Sequence, residues 1–370
     1  MMRVPFHSLD ILHDQLEEEV SAFFKSFYDS RRYVLGERVE EFEQAYARSS
    51  GTRYCVGVAN GLDALYLALE ALGIGEGDEV IVPSNTYIAT WMAVSRTGAV
   101  VIPVEPDPRT FNIDPTRIEE AVTDRTRAVV PVHLYGQPCD MNAVSEVADR
   151  HRFVVVEDNA QAQGAVCSGR PTGSIGRISA TSFYPTKNLG ALGDAGAVTT
   201  DDPALAEHVR SMGNYGSGEK NRHHLIGVNS RLDELQAGIL GIKLRYIGRW
   251  IEERRRIAAW YREDLEDVDG LLPPFVGPGF DHVYHLYVVR TRRRDELREH
   301  LEQHGIETMV HYPVPPHLQQ AYAGLGFASG SFPIAEELAE TSLSLPIFVG
   351  ITREQVRAVT TRIAEFFGKG

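Results

Sequence analysis

Between residue 53 and about residue 200 the chain alternates short apolar runs with stretches of helical period, and a Gly, Asn, Asp or Pro signal marks each change. The runs are RYCVGV (53–58), DEVIVP (78–83), AVVIPV (99–104), RAVVPVHL (127–134), RFVVVED (152–158), ISATSFY (178–184) and AGAVTT (195–200). Several lack polar alternation, so both faces of those strands are covered, which predicts a central, mostly parallel sheet in an α/β architecture. After the first run, Leu62, Leu65, Tyr66, Leu69 and Leu72 recur at helical spacing. Asn60 supplies a cap, Asp63 a first-turn acid and Gly73 a stop. Segments 205–212 and 231–247 also read as helices, the second with Leu232, Leu235, Ile239 and Ile242 on one face.

From about residue 249, WIEERRRIAAWYREDLEDV has the pattern of a long amphipathic helix, and LLPPFVGPGF breaks it. A strand (HVYHLYVVRT), a helix (RDELREHLEQHGI), an irregular HYPVPPHLQ segment and a closing helix (TREQVRAVTTRIAEFF) follow. The expected organisation is a large α/β domain over 1–248, N-terminal segment included, and a smaller C-terminal α+β domain over 249–370. Arg254, Arg255 and Arg256 lie among Glu252, Glu253 and Glu263 and read as a solvated face.

A length of 370 residues agrees with two domains, and 43% hydrophobic with 24% charged residues excludes disordered and fibrous classes. The 37 Lys and Arg against 51 Asp and Glu leave a net charge of −14, which repels nucleic-acid backbones and anionic membranes. Three cysteines without CxxC spacing build neither a disulfide framework nor a zinc site, so a reducing, cytoplasmic setting and no metal are expected. The first twenty residues turn acidic early, unlike a secretory signal, and no apolar run approaches the ~18 residues that a membrane span requires.

In α/β sheets ligands sit at the carboxyl ends of strands, and three places there carry chemistry. VANGLDAL opens a strong helix at Asn60 and Gly61 directly after a strand, which suits an anion such as phosphate, although an Asn cap on a tight turn is also a complete account. FVVVEDNAQAQGA ends a fully apolar strand in Glu157 and Asp158, with Gln161 one turn on. A carboxylate so placed needs a cationic or hydrogen-bonding partner, for which Mg²⁺, a ribose hydroxyl, an Arg or a protonated ring nitrogen all serve. SFYPTKNLGALGDAGAV sets Lys187 in a glycine-punctuated loop; a buried lysine loses protonation and becomes an amine nucleophile. Together the amine, the carboxylate and the anion seat are the three parts that hold pyridoxal phosphate.

With these stretches, and with YVLGERVEEFEQAYA, SNTYIAT, VHLYGQPCDM, NSRLDELQA and HYPVPPH, the sequence resembles the DegT/DnrJ/EryC1/StrS sugar aminotransferases over almost its whole length. That resemblance implies the aspartate-aminotransferase-like fold, fold type I of the pyridoxal-phosphate enzymes. It implies a Schiff-base role and proton transfer for Lys187, the pyridine nitrogen as partner of Asp158, and the ring hydroxyl oxygen as partner of Gln161. It puts Tyr87 over the ring and Gly61, the Leu62 amide and Ser182 on the phosphate. Asn229 would reach the phosphate of a neighbouring subunit's cofactor, which implies a homodimer with shared sites.

Two positions depart from the family pattern. Leu62 stands where Thr is frequent, and Ala195 where many relatives have Gly.

A nucleotide sugar carries a diphosphate, so Lys220 and Arg222 are expected to bind it, with Tyr184, Tyr215, His311 and Tyr312 on sugar or base. His223, His224 and His317 read as ordinary loop residues. NGLDAL and SFYPTKNLGALGDAG resemble the branch that transfers an amino group from glutamate to thymidine-diphosphate 3-keto-6-deoxyhexoses, by way of pyridoxamine phosphate. C4 keto-sugar and scyllo-inosose aminotransferases remain alternatives. Sugar 3-dehydratases of this fold carry His in place of the lysine, so Lys187 argues against them. A regulatory cofactor-binding protein would need an added module, which the chain lacks, and a nicotinamide dehydrogenase would need GxGxxG directly after a strand.

Overall fold

The computed structural model describes residues 2–219 and 221–368. Seven strands form the central sheet: β1 (Tyr54–Val58), β2 (Glu79–Pro83), β3 (Val100–Val104), β4 (Thr126–Val129), β5 (Val154–Asp158), β6 (Ile178–Ser182) and β7 (Gly196–Thr200). Their spatial order is β1-β7-β6-β5-β4-β2-β3. The pairs from β3 across to β6 are parallel, whereas β7 runs antiparallel to both β6 and β1. The reversal has a local cause. Residues 183–195 join β6 to β7 without a helix, so the chain turns back instead of crossing over. That turning loop carries Lys187.

Alternate residues of each strand enter different cores, which accounts for the missing polar alternation. Val80, Val82, Val130, Val156 and Val198 pack under the helices Gly61–Ala71, Ile88–Thr97 and Pro203–Gly213. Ile81, Val129 and Val155 pack on the other face with Met141, Val144 and Val147 of the Met141–His151 helix. A further core joins Cys55, Phe183 and Ala197 to the helices Glu37–Ser50 and Glu234–Leu244.

The C-terminal part has its own core, in which the antiparallel strands Tyr287–Arg290 and Ser342–Leu345 lie under the helices Ile247–Leu265, Arg294–Gln303 and Arg353–Phe366. We propose the division at 248/249 as the boundary between these bodies. The structure adds one exchange across it: Val4 bridges Ile306 and is buried in the second core. Beside it, Arg3 pairs with Glu307, Phe6 stacks on His311 at 5.8 Å, and His7 meets the Phe348 ring edge-on.

Two expectations about charged residues need correcting. Arg254 is not solvated: it is 3% exposed, and its Nη1 donates to the carbonyls of Tyr284, His285 and Ile347 at 3.1, 3.4 and 3.3 Å. Arg256, two residues on, is exposed. The helix expected over 231–247 runs from Glu234 to Leu244; of its expected face Leu232 and Ile239 are buried and Leu235 and Ile242 only half-buried, while Glu234, Ala237, Leu240 and Lys243 are buried as well. Glu234 accepts hydrogen bonds from the amides of Gly36 (2.8 Å), Arg38 (3.2 Å) and Val39 (3.0 Å), so it serves the open N-terminus of the Glu37–Ser50 helix.

Among the described residues no helix is long and apolar enough to cross a membrane, and no group of His, Cys, Asp and Glu could hold a metal ion. Replacing Glu234 by Ala strands those amides; an unfolding free energy lower by about 1–3 kcal/mol in urea titration is expected.

Candidate active site

The site is built on the carboxyl end of β5. Strand alternation sends its two last carboxylates to opposite faces. Glu157 is fully buried and accepts from the amides of Gly173, Ile175 and Gly176 at 2.8, 2.6 and 2.7 Å, and its Oε2 lies 3.0 Å from His133 Nε2. Burial works to raise its pKa, but His133 and the amides outweigh burial and hold the group below the usual carboxylate range. Glu157 thus fastens the loop after residue 172 and has no face toward the cleft.

Asp158 has the opposite balance. It is 4% exposed, its Oδ1 accepts from the Ala160 amide at 3.1 Å, and its Oδ2 accepts from the Thr90 hydroxyl at 2.9 Å. Burial pushes its pKa up, against the pull of Ala160, Thr90 and Lys187. A second hydroxyl, Thr86, lies 3.0 Å from that of Thr90. Lys187 enters from the β6–β7 loop, where its amide donates to the Tyr184 carbonyl at 2.8 Å. Burial lowers the pKa of its amine to about 8, with Asp158 opposing. The amine is therefore neutral in appreciable part near neutral pH, as a nucleophile requires.

The third part is a glycine seat. Asn60 caps the Gly61–Ala71 helix by accepting from the Asp63 amide at 2.8 Å, and the first helical amides have no partner within the helix. A Cβ on Gly61 would stand 2.6 Å from Ser182 Cβ, and one on Gly196 would stand 2.5 Å from the Asn60 carbonyl carbon, so both positions require glycine. The seat thereby brings the amides of Gly61 and Leu62 beside the Ser182 hydroxyl. An anion seat, a buried carboxylate served only by neutral donors, and an amine of weakened basicity fit pyridoxal phosphate at its phosphate, ring nitrogen and aldehyde.

Around this centre the structure gathers Gln161, Tyr87, Tyr312 and His311. Gln161 Oε1 accepts from the Tyr135 amide at 2.7 Å and its Nε2 donates to the Tyr312 hydroxyl at 3.1 Å. The rings of Tyr87 and Tyr312 lie 5.2 Å apart. The Tyr135 hydroxyl bonds the His311 carbonyl, and His311 Nδ1 lies 2.8 Å from Ser344 Oγ. Burial, and then the charge of Lys187, lower the His311 pKa to about 4, so this imidazole stays neutral.

Both departures from the family pattern resolve locally. The Leu62 side chain packs against the main core, and Ala195 is buried at a negative φ with its carbonyl accepting from the Phe183 amide at 2.8 Å, so neither needs a special backbone.

Other expected contacts lie apart. Asn229 Nδ2 donates to the Tyr215 hydroxyl at 2.8 Å, the Arg231 guanidinium lies over the Tyr215 ring, and Arg222 sits on the adjoining hairpin strand Arg222–His223. Within one chain this group makes no hydrogen bond to Lys187 or Asp158 among the described residues. Tyr184 is half exposed at the rim. Lys220 lies outside the described residues. His224 is an exposed loop residue and His223 is exposed on the Arg222–His223 strand, its Nδ1 2.9 Å from the Tyr215 carbonyl oxygen, whereas His317 is buried against Glu336 at 3.0 Å. The sequence reading missed Thr90, Tyr135 and Asn188, whose Nδ2 donates to the Val283 carbonyl at 3.2 Å. All three lay in stretches already singled out, Thr90 one turn beyond Tyr87, Tyr135 in VHLYGQPCDM and Asn188 directly after Lys187; the last two bond backbone carbonyls, a task that residue type does not announce.

Comparison with known proteins gives a consistent result. The family model described as the DegT/DnrJ/EryC1/StrS aminotransferase family matches residues 14–364. The dTDP-3-amino-3,4,6-trideoxy-alpha-D-glucose transaminase of Streptomyces venezuelae is 50% identical over 98% of this chain and 96% of its own length. The dTDP-3-amino-3,6-dideoxy-alpha-D-galactopyranose transaminase of Aneurinibacillus thermoaerophilus is 46% identical over 98% of this chain and 99% of its own. The crystal structure of S. venezuelae DesV in complex with a ketimine intermediate superposes with a TM-score of 0.98 at 50% identity, covering 100% of both chains.

The coupling of Lys187 to Asp158 is measurable on the cofactor-free protein. Modification of Lys187 by acetaldehyde and cyanoborohydride, followed by peptide mass, should climb with pH through a midpoint near 8. In Asp158→Asn the opposing charge is gone and the midpoint should fall; an unmoved midpoint would show the two groups to be uncoupled.

Proposed function

Because the chain belongs to the DegT/DnrJ/EryC1/StrS aminotransferase family and is therefore a pyridoxal-phosphate-dependent transaminase, we propose that it moves an amino group from glutamate to C3 of a thymidine-diphosphate-linked 3-keto-6-deoxyhexose. The observation that carries the transaminase reading is the Lys187 amine within electrostatic reach of buried Asp158, together with the Gly61–Ser182 seat. The C3 assignment rests on full-length similarity to two transaminases whose names specify 3-amino sugars.

Bound pyridoxal phosphate supplies an aldehyde that takes the donor's nitrogen and a ring that accepts the electrons of a broken C–H bond. Lys187 Nζ would remove the proton from the donor's α-carbon in one half-reaction and deliver a proton to C3 of the sugar in the other. Asp158 keeps a proton on the ring nitrogen, and Thr90 and the Ala160 amide keep its carboxylate aimed there. Gly61, Leu62 and Ser182 would hold the phosphate, Gln161 the ring hydroxyl oxygen, and Tyr87 would cover the ring. Tyr184, His311 and Tyr312 border the sugar, with His311 as a neutral hydrogen-bonding group.

Two copies complete the site in this reading. Asn229 serves the neighbouring subunit's cofactor, Arg222 and Lys220 the sugar's diphosphate, and Tyr215 the sugar or base. Apolar surface supports that pairing: Ile226 is 99% exposed next to Leu225 and Tyr215, and the exposed Tyr33, Val34 and Leu35 lie alongside, Leu35 lining one cavity of about 270 Å³ with Asn214, Ser217 and Arg231. A monomer would leave these groups in water. The three cysteines are buried and unpaired, which is compatible with the reducing cytoplasm.

The test is to supply purified protein with glutamate and, separately, the 3-keto and 4-keto thymidine-diphosphate sugars. Amination of the 3-keto isomer is expected, and amination of the 4-keto isomer alone would move the assignment to C4. Lys187→Ala should retain noncovalently bound cofactor and lose turnover by more than about a thousandfold. Wild-type turnover in that variant would remove Lys187 from the mechanism.

A further inference from the structure

A second lysine lies beneath the loop that carries the first. Lys243, in the last turn of the Glu234–Leu244 helix, is 3% exposed, and its Nζ donates to the Gly190 carbonyl at 2.6 Å. No acidic side chain pairs with it among the described residues, and burial alone lowers its pKa to about 8. A buried ammonium without a carboxylate is costly, and a methionine of similar volume would fill the space without that penalty. Packing alone therefore gives no reason for a lysine here.

The carbonyl it holds has a defined place. From Pro185 to Gly190 the loop closes on itself: a Cβ on Gly190 would stand 2.3 Å from the Pro185 carbonyl oxygen, so the two backbones touch with Lys187 between them. The Lys187 amide is already turned onto the Tyr184 carbonyl, and the Ala191 amide onto that of Phe183. Lys243 fastens the closure from the protein side. One helical turn earlier than the midpoint of its helix, Gln236 Oε1 accepts from the Leu192 amide at 2.8 Å. Across the cleft Asn188 ties the same loop to Val283. Of these fixings only Lys243 spends a buried charge.

We propose that Lys243 is a positioning residue for Lys187: by holding the Gly190 carbonyl it fixes the ring of backbone from which the reactive amine projects. The inference rests on the reading of Lys187 as the reacting amine. Loss of the anchor lets the loop relax toward water and places the amine wrongly for proton transfer, so the defect is in the chemical step rather than in substrate binding.

The experiment compares Lys243→Met with the unchanged enzyme, with Lys243→Arg as the variant that keeps the donor. Three quantities are read: the melting temperature, kcat and KM for both substrates, and the pH midpoint of Lys187 modification by acetaldehyde in cofactor-free protein. In Lys243→Met the melting temperature should hold or rise, kcat should fall about ten- to hundredfold with KM values within twofold, and the midpoint should move upward. Lys243→Arg should restore part of kcat and of the midpoint; if it does not fold, the Met variant decides alone. Unchanged kcat and midpoint in Lys243→Met overturn the proposal. A loss of melting temperature and kcat with an unmoved midpoint also overturns it, since the role is then structural only. Full activity in Lys187→Ala would instead defeat the underlying reading and is scored separately.

Discussion

A carboxylate and an amine, both drawn out of water at the carboxyl edge of one sheet, set the terms for this molecule. Burial disfavours the charged form of each, and each lends the other back part of what burial removes. The outcome is an amine of intermediate basicity facing an acid that hydroxyl and amide donors keep in place. That balance needs a strand covered on both faces, because a half-solvated strand would let water screen the pair. The continuous apolar runs and the several cores around the sheet supply that cover.

The fold was legible because its determinants are hydrophobic and periodic. The strand runs, the Asn60 cap and the Gly73 stop each announce a local structure that the tertiary packing then uses. The reacting groups were legible for a different reason: Asp158 and Lys187 stand at breaks in those patterns, where a polar residue has no ordinary structural task. Neither argument separates Glu157 from Asp158, and only the strand's pleat assigns one to a loop and the other to the cleft.

Buried charges whose partners are backbone atoms were not legible. Arg254, Glu234 and Lys243 each satisfy carbonyl or amide groups contributed by distant segments. A sequence displays side chains and not backbone orphans, so a charged residue reads as solvent-facing by default. This is why the stripe read as Leu232, Leu235, Ile239 and Ile242 holds only in part: Leu232 and Ile239 are buried, but the buried side of the Glu234–Leu244 helix also carries an acid near one end and a base near the other. Asn229, expected at a neighbouring subunit's cofactor, and Tyr215, expected on sugar or base, escape for a further reason: within one chain they bond each other and make no hydrogen bond to Lys187 or Asp158 among the described residues.

The opening residues of the chain carry a mechanical consequence. Val4 is locked into the C-terminal core, Phe6 rests on the His311 ring, and His311 is itself tied through its carbonyl to Tyr135 beside the central sheet. Val4, Phe6 and His311 thus form one wall of the mouth that is pinned from both bodies, since a tilt of the C-terminal body would have to break the Tyr135–His311 bond.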